Sequence, residues 1–225
     1  MEIEESIKKL LAKLERSQSS TPETTLYAEQ VEAKFRNARF SLYKLQELKQ
    51  PIAVDSSISS STLLDNRELI NFYCDCFWDF LRSSIDILAQ LINERTSLGL
   101  NEKTVDIKKV AANLNQTLHP HLKTSVDYLL GLQAFKKLED YRHCSIHRRQ
   151  VYIETREQEE SILGTRGYSS STSETKKLTY VSHICRRPWD LTTPDIDYSK
   201  TVDMFCQELL QKLESQMVAI INRLP

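Results

Sequence analysis

The side chains best suited to acid–base and phosphate chemistry are concentrated in one short stretch of this sequence. An arginine can bind a phosphate through two parallel hydrogen bonds, and a histidine exchanges protons near neutral pH. At about 100° per residue, a helix would place Asp140, His143 and His147 on one face, adjacent to Arg142. A guanidinium, two imidazoles and a carboxylate would therefore lie within two helical turns. The whole stretch reads Asp140-Tyr-Arg142-His143-Cys-Ser-Ile-His147-Arg148-Arg149.

Arg142 also occupies a position where the helical pattern calls for an apolar side chain. An apolar stripe in steps of three and four residues leads to Arg142 and then to Ile146. A buried arginine needs a partner, because its desolvation is costly. Two interpretations of Asp86 are open: an ion pair with Arg82 on its own helix, or a buried partner for Arg142. The stripe consists of Tyr128, Leu132, Phe135 and Leu138.

Interpretations without catalysis also fit this stretch. Arg142 could lie at a helix end with its charged head in water, and the histidines could form a solvated last turn that the helix dipole favours. His143 and His147 are four residues apart and could instead bind a metal ion. No glutamate lies between them as in H-E-x-x-H, so we assign no metal to this chain.

The elements that must position these residues are predicted to be helices. The chain has only four glycines and six prolines in 225 residues, which excludes glycine-rich phosphate loops and argues against all-β folds. Asp65 and Glu68 form a capping box for one helix, with Leu64 and Leu69 as its hydrophobic staple, and the Ser-rich residues 51–64 before it predict a loop. Apolar spacing predicts helices at about 2–16, 22–49, 66–96, 103–116, 121–147 and 197–223.

Residues 150–185 have a different pattern from the rest of the chain. Two segments, 150–156 and 178–184, are rich in β-forming residues, and a stretch rich in glycine and serine lies between them. This arrangement predicts a β-hairpin with a flexible Ser-rich tip, inserted into a mostly α single domain that spans residues 1–225.

The string Arg142-His143-Cys144-Ser145-Ile146-His147 has the form R-x4-H, with a polar residue directly after the arginine. It resembles the signature of HEPN domains (higher eukaryotes and prokaryotes nucleotide-binding). Residues 79–93 similarly resemble the long core helix of those domains. The resemblance covers about residues 22–149 and the C-terminal helix, and it implies an up-and-down helical bundle. The hairpin after His147 is a departure, because typical members continue as helix at that point.

The resemblance implies a function and residue roles. Many HEPN proteins are metal-independent endoribonucleases of toxin or defence type, in which two facing motifs of a dimer direct the ribose 2′-OH onto the adjacent phosphate. Arg142 would then stabilise charge on the phosphate, His147 would be the general acid or base, and His143 would orient this pair.

The same resemblance implies supporting residues and partners. Arg148 and Arg149 would attract phosphate, while Asp140 and Asp86 would support the site. The implied partners are RNA, a second copy of the chain and a cognate antitoxin, with no cofactor.

Composition limits the other partners. The net charge is −1, so neither DNA nor a membrane is an expected partner. The acidic N-terminus is not expected to be a signal peptide, and no apolar run of the sequence is long enough to predict a membrane span. Five scattered cysteines without a C-x-x-C pair fit free thiols in a reducing cytoplasm.

A function of a different class stays open: a non-catalytic HEPN-like scaffold that binds a nucleotide or another protein. Geometry distinguishes the two. An enzyme should have Arg142 and His147 in an open cleft, whereas a scaffold should have them covered and saturated by carboxylates.

Overall fold

The computed structural model describes residues 2–17, 21–48, 60–147, 152–160, 177–185 and 202–225, with side chains for 2–16, 21–48, 68–142 and 202–225. Within these residues the chain forms seven helices and two strands. The helices are α1 (Glu2–Ser17), α2 (Pro22–Leu48), α3 (Ser60–Arg95), α4 (Ile107–Asn113), α5 (Pro120–Gly131), α6 (Gln133–His147) and α7 (Val202–Ile221). The strands are β1 (Tyr152–Glu160) and β2 (Lys177–Cys185).

Two helices, α3 and α7, form the centre of the bundle. The most extensive helix pair is α2 with α3, and α3 also packs against α4, α6 and α7. Burial of a side chain of leucine size contributes about 1.5–3 kcal/mol, so the central positions supply much of the core energy. The mostly helical architecture that the sequence predicts is confirmed. Fully buried central residues include Leu81, Ile85, Leu88, Leu213 and Met217.

Several helix boundaries follow from local sequence signals. The backbone N–H of Thr24 donates to Oγ1 of Thr21 at 3.0 Å, so Thr21 caps α2, and Pro22 is the first helical residue. Pro120 similarly begins α5. Gly99, just beyond α3, has φ +68°, a left-handed conformation that costs glycine little. These boundaries were predicted from the residue types alone.

The predicted start of α3 was wrong. The helix already begins at Ser60, so Asp65 lies inside it and does not cap it, and residues 60–64 of the predicted loop are helical. Leu69 is 42% exposed and does not act as a buried staple. Serine and threonine are also good N-cap residues, so a capping-box pattern within a Ser-rich segment could not select one start. Residues 51–59 lie outside the described part of the chain.

The predicted helix 121–147 is two helices, α5 and α6. Leu132 separates them with extended backbone angles (φ −63°, ψ 131°). The stripe is therefore interrupted, and Tyr128, one of its predicted members, is 62% exposed. The signal that could have marked this break is Gly131, since glycine is common at helix ends.

Residues 150–185, where the sequence predicts a hairpin, contain the two strands. They pair antiparallel, from Tyr152 opposite Cys185 to Glu160 opposite Lys177. The connection, residues 161–176, lies outside the described residues, so the Ser-rich tip stays a prediction. The position of this segment as an insertion also stays a prediction.

Candidate functional site

The phase of α6 differs from the prediction by one residue near its C-terminal end. Tyr141 is buried, whereas the side chain of Arg142 is 34% exposed at the edge of the buried face. The earlier members of the stripe in this helix, Phe135 and Leu138, are buried as predicted. Arg142 therefore lies beside the core instead of within it.

Tyr141 attaches this turn of α6 to the centre of the bundle. Its ring stacks on Trp78 of α3, with centroids 4.8 Å apart and planes 14° apart. It also forms a T-shaped pair with Phe205 of α7, with ring centroids 5.4 Å apart. Offset aromatic pairs of this kind contribute about 0.5–1.5 kcal/mol each beyond their buried area. The backbone next to Arg142 is thus fixed by packing against two other helices.

Arg142 contacts Asp86 of α3, as one of the two sequence interpretations predicted. Nη1 of Arg142 lies 3.5 Å from Oδ2 of Asp86. The other interpretation is also present, because Nη1 of Arg82 donates to Oδ1 of Asp86. The two interpretations were treated as alternatives, but Asp86 bridges both guanidinium groups.

These residues belong to a longer row of alternating charges, which we call the charge chain: Lys108, Glu139, Arg82, Asp86 and Arg142. Nζ of Lys108 lies 2.9 Å from Oε2 of Glu139, and Oε1 of Glu139 lies 3.7 Å from Nη2 of Arg82. The chain crosses from α4 to α6, then to α3, and returns to α6. Every internal member therefore has an opposite charge on each side.

Burial changes systematically along the charge chain. Arg82, its middle member, has a side chain only 8% exposed, whereas those of the end members Arg142 and Lys108 are 34% and 61% exposed. The guanidinium of Arg82 also lies over the ring of Phe135, with its Cζ 5.5 Å from the ring centroid. An arginine loses much solvation when buried, and two carboxylates and an aromatic face replace that solvation here.

The protonation of Asp86 reflects opposing effects. Burial raises the pKa of this carboxyl above its usual value, while the guanidiniums of Arg82 and Arg142 lower it. Asp106, the N-cap of α4, adds a smaller upward contribution to the pKa through charge repulsion. Both arginines therefore favour the ionised form of Asp86 against the effect of its burial.

One donor of Arg142 has no partner among the described atoms. Its Nε is buried and makes no hydrogen bond within that part of the chain. A buried donor without an acceptor costs about 1–3 kcal/mol. The described atoms thus leave one hydrogen-bond donor of the Arg142 guanidinium unused.

The histidines of the motif are on the same helix, which is continuous as far as His147. Five residues along an α-helix correspond to about 7.5 Å along the axis and about 140° around it. The Cα atoms of Arg142 and His147 therefore lie on different sides of α6, and the prediction that the face of His147 is adjacent to Arg142 was wrong. The side chains of His143 and His147, and all of Arg148 and Arg149, lie outside the described residues, so their roles stay predictions.

Sequence reasoning missed Glu139 and Lys108. The available signal was the spacing of opposite charges. On α6 the acidic Glu139 precedes the basic Arg142 by three residues, and on α3 the basic Arg82 precedes the acidic Asp86 by four. Two helices with such patterns can form two ion pairs when they touch. Asp140, which was predicted to support the site, is exposed, and its role stays a prediction.

Other possible sites were also considered. Among the side chains that the structure describes, no group of three or more His, Cys, Asp and Glu could hold a metal ion. None of the described helices combines the length and apolar character needed to cross a membrane. A surface depression of about 400 Å³ is lined by Lys9, Ala12, Lys13 and Arg16, but α1 packs on α2 and α7 and not on α6.

A comparison with protein families gives a match over most of the chain. The Cthe2314-like HEPN family matches residues 27–216, which include Asp86 and the whole R-x4-H string. No curated protein and no solved structure matches the chain. The family match covers most of the sequence and includes Arg142, which lies on α6 and pairs with Asp86 on α3. The chain therefore belongs to the HEPN family, as the R-x4-H motif predicted.

Proposed function

We propose that this HEPN protein is a metal-independent endoribonuclease whose reactive groups are Arg142 and His147. The observation that carries the proposal is the state of Arg142. Its guanidinium is oriented by Asp86, a third of the side chain is exposed, and Nε has no acceptor among the described atoms. An arginine held in this way is suited to bind an anionic oxygen of RNA.

The proposed reaction forms and breaks one bond to phosphorus. The ribose 2′-oxygen attacks the adjacent phosphorus, the bond from phosphorus to the 5′-oxygen breaks, and a 2′,3′-cyclic phosphate remains. A general base takes the 2′-OH proton, and a general acid gives a proton to the leaving 5′-oxygen. His147 fills one of these roles, and Arg142 stabilises the negative charge that develops on the non-bridging oxygens.

We further propose that the active unit is a homodimer. One chain carries one R-x4-H motif, whereas the reaction needs both a base and an acid. The separation of about 140° around α6 between the Cα atoms of Arg142 and His147 also favours a site shared by two facing motifs. His143 would orient the pair, and Arg148 and Arg149 would increase the attraction for RNA.

The test is cleavage of single-stranded RNA by the purified full chain in the presence of EDTA. We expect the wild type to cleave, and His147→Ala to lose about 100- to 10,000-fold in rate, as for loss of a general acid or base. The matched control is His121→Ala, which removes an exposed histidine of α5 outside the motif. Circular dichroism would verify that each variant remains folded.

Either of two outcomes would refute the nuclease proposal: no cleavage by the wild type across varied RNAs, or cleavage that is unaffected by His147→Ala. Cleavage that EDTA abolishes would refute the metal-independent mechanism.

One observation favours a second candidate function, that of a non-catalytic nucleotide-binding module. Asp86 already contacts the guanidinium of Arg142, and its carboxylate would compete with a transferring phosphate. In this alternative, the protein would bind nucleotides without cleaving RNA, and Arg142→Ala would weaken that binding. Titration with nucleotides alongside the cleavage assay separates the two functions.

A further inference from the structure

The charge chain makes Arg142 depend on a residue that it does not touch. Arg142 is fixed through Asp86, and the other oxygen of Asp86 accepts a hydrogen bond from Arg82. Arg82 in turn is fixed from two helices, since Nη1 contacts Asp86 on α3 and Nη2 faces Glu139 on α6. Arg82, the most buried member of the charge chain, thus fixes the carboxylate of Asp86, and Asp86 in turn fixes the more exposed Arg142.

We propose that Arg82 is a positioning residue for the R-x4-H motif: it fixes the carboxylate of Asp86, and Asp86 in turn fixes the guanidinium of Arg142 for binding phosphate. This inference rests on the proposed function for its consequence in catalysis. Its structural part, the coupling of Arg142 to Arg82, can be measured without any activity.

Arg82 is suited to this role for two reasons. Without Arg82, the carboxylate of Asp86 would bind a proton more readily, because burial favours its neutral form and Arg82 opposes that effect. A neutral carboxyl would attract the guanidinium of Arg142 less strongly. In addition, the planar fork of arginine can address Asp86 and Glu139 with separate nitrogens, which the single ammonium of lysine does less well.

The charge chain also keeps a positive charge available at the motif. Its three cations exceed its two carboxylates by one charge, and Arg142 is an end member with a single carboxylate neighbour among the described contacts. Because Asp86 is shared with Arg82, it does not fully neutralise Arg142. Arg142 therefore retains net positive charge with which to attract a phosphate.

The first experiment is nuclear magnetic resonance on the full chain, with Arg82→Gln and Arg82→Lys. In Arg82→Gln we expect a higher pKa for the Asp86 carboxyl and faster exchange with water of the Nε proton of Arg142. In Arg82→Lys, which retains the positive charge, we expect smaller changes of the same sign. Arg82→Lys also serves as the test if Arg82→Gln does not fold.

The matched control is Arg39→Gln. Like Arg82, Arg39 lies over a phenylalanine ring, with Cζ 5.8 Å from the centroid of Phe35, and it pairs with a largely buried carboxylate, that of Glu214, at 3.3 Å. Its helix, α2, does not carry the motif. We expect Arg39→Gln to leave the Asp86 pKa and the exchange of the Arg142 proton unchanged.

Two results would overturn the positioning role. One is an unchanged pKa of Asp86 together with unchanged exchange at Arg142 in Arg82→Gln. The other is an equal change in Arg39→Gln, since that would indicate general loosening of the bundle instead of a specific connection.

The second experiment measures RNA cleavage by the same variants. We expect Arg82→Gln to lower kcat by about 10- to 100-fold with little change in KM, because misplacement of a reacting group by about 1 Å costs this much. Arg82→Lys should restore part of the loss, and Arg82→Gln should add little to Arg142→Ala. A wild type without cleavage would refute the proposed function, while the resonance data would still decide the positioning role.

Discussion

Arg82 and Arg142 share the carboxylate of Asp86, yet we expect their removal to affect folding very differently. Methionine is a suitable replacement at both positions, because it is unbranched and can occupy part of the space of the arginine stem. We predict that Arg82→Met strongly lowers the free energy of unfolding, whereas Arg142→Met lowers it only slightly. Arg142 can then be tested as a functional residue in a folded protein.

The magnitudes follow from burial and from the number of partners. Removing one partner of a fully buried ion pair costs about 3–5 kcal/mol. Arg82→Met leaves Asp86, which is 28% exposed and keeps Arg142, and Glu139, which is 26% exposed and keeps Lys108. Because both carboxylates retain some solvent and one cation, we expect the low end of that range, about 3 kcal/mol, including the lost contact of Arg82 with Phe135. Arg142→Met loses one ion pair of 3.5 Å between partly exposed groups, which is worth at most about 1 kcal/mol.

Thermal and urea unfolding, followed by circular dichroism, would measure the difference. For a chain of this size, about 1 kcal/mol corresponds to about 2–4 °C in Tm. The difference of about 2 kcal/mol between the variants therefore predicts that Arg82→Met melts about 4–8 °C below Arg142→Met. Arg39→Met, in which a partly exposed arginine leaves Glu214, should lie between them.

The reasoning would be refuted if Arg142→Met destabilised the protein as much as Arg82→Met. Arg142 would then be part of the structural framework, and loss of activity on its substitution would carry no information about catalysis.

Three other predictions concern Asp86, the packing of Trp78 and the cap of α2. Burial raises the pKa of Asp86 in the folded protein, so the carboxyl stabilises the fold fully below its unfolded pKa near 3.8, and this stabilisation is lost as pH rises through the higher folded pKa. Asp86→Asn should remove this part of the pH dependence of stability, and equal pH profiles of the urea midpoint for the wild type and the variant would contradict this prediction. Trp78→Ala should cost about 3–5 kcal/mol in the same urea assay, because the ring is buried and stacks on Tyr141, and a loss below about 1 kcal/mol would show that this packing is loose. Thr21→Ala should cost about 0.5–2 kcal/mol through loss of the α2 cap, whereas Thr21→Ser should be almost neutral; equal losses for both would exclude the cap as the cause.

Sequence signals that act within a few residues predicted much of the fold. Pro22 and Pro120 begin helices because proline fits the first turn, and Gly99 follows the end of α3 because it adopts a positive φ. The same kind of reasoning was wrong at Asp65, where several residues nearby can also cap a helix. Local signals identify possible boundaries, but they do not rank them when neighbours compete.

By itself, the sequence determined the family and the location of the motif, because R-x4-H and the helical period are properties of consecutive residues. It also offered Asp86 as a partner for Arg142. Only the tertiary structure decided that Tyr141, and not Arg142, is buried, because the rings of Trp78 on α3 and Phe205 on α7 receive the tyrosine. Likewise, Arg82 meets Glu139 only because α3 and α6 pack together, and such contacts depend on how helices pack in space, which the spacing along one helix does not specify.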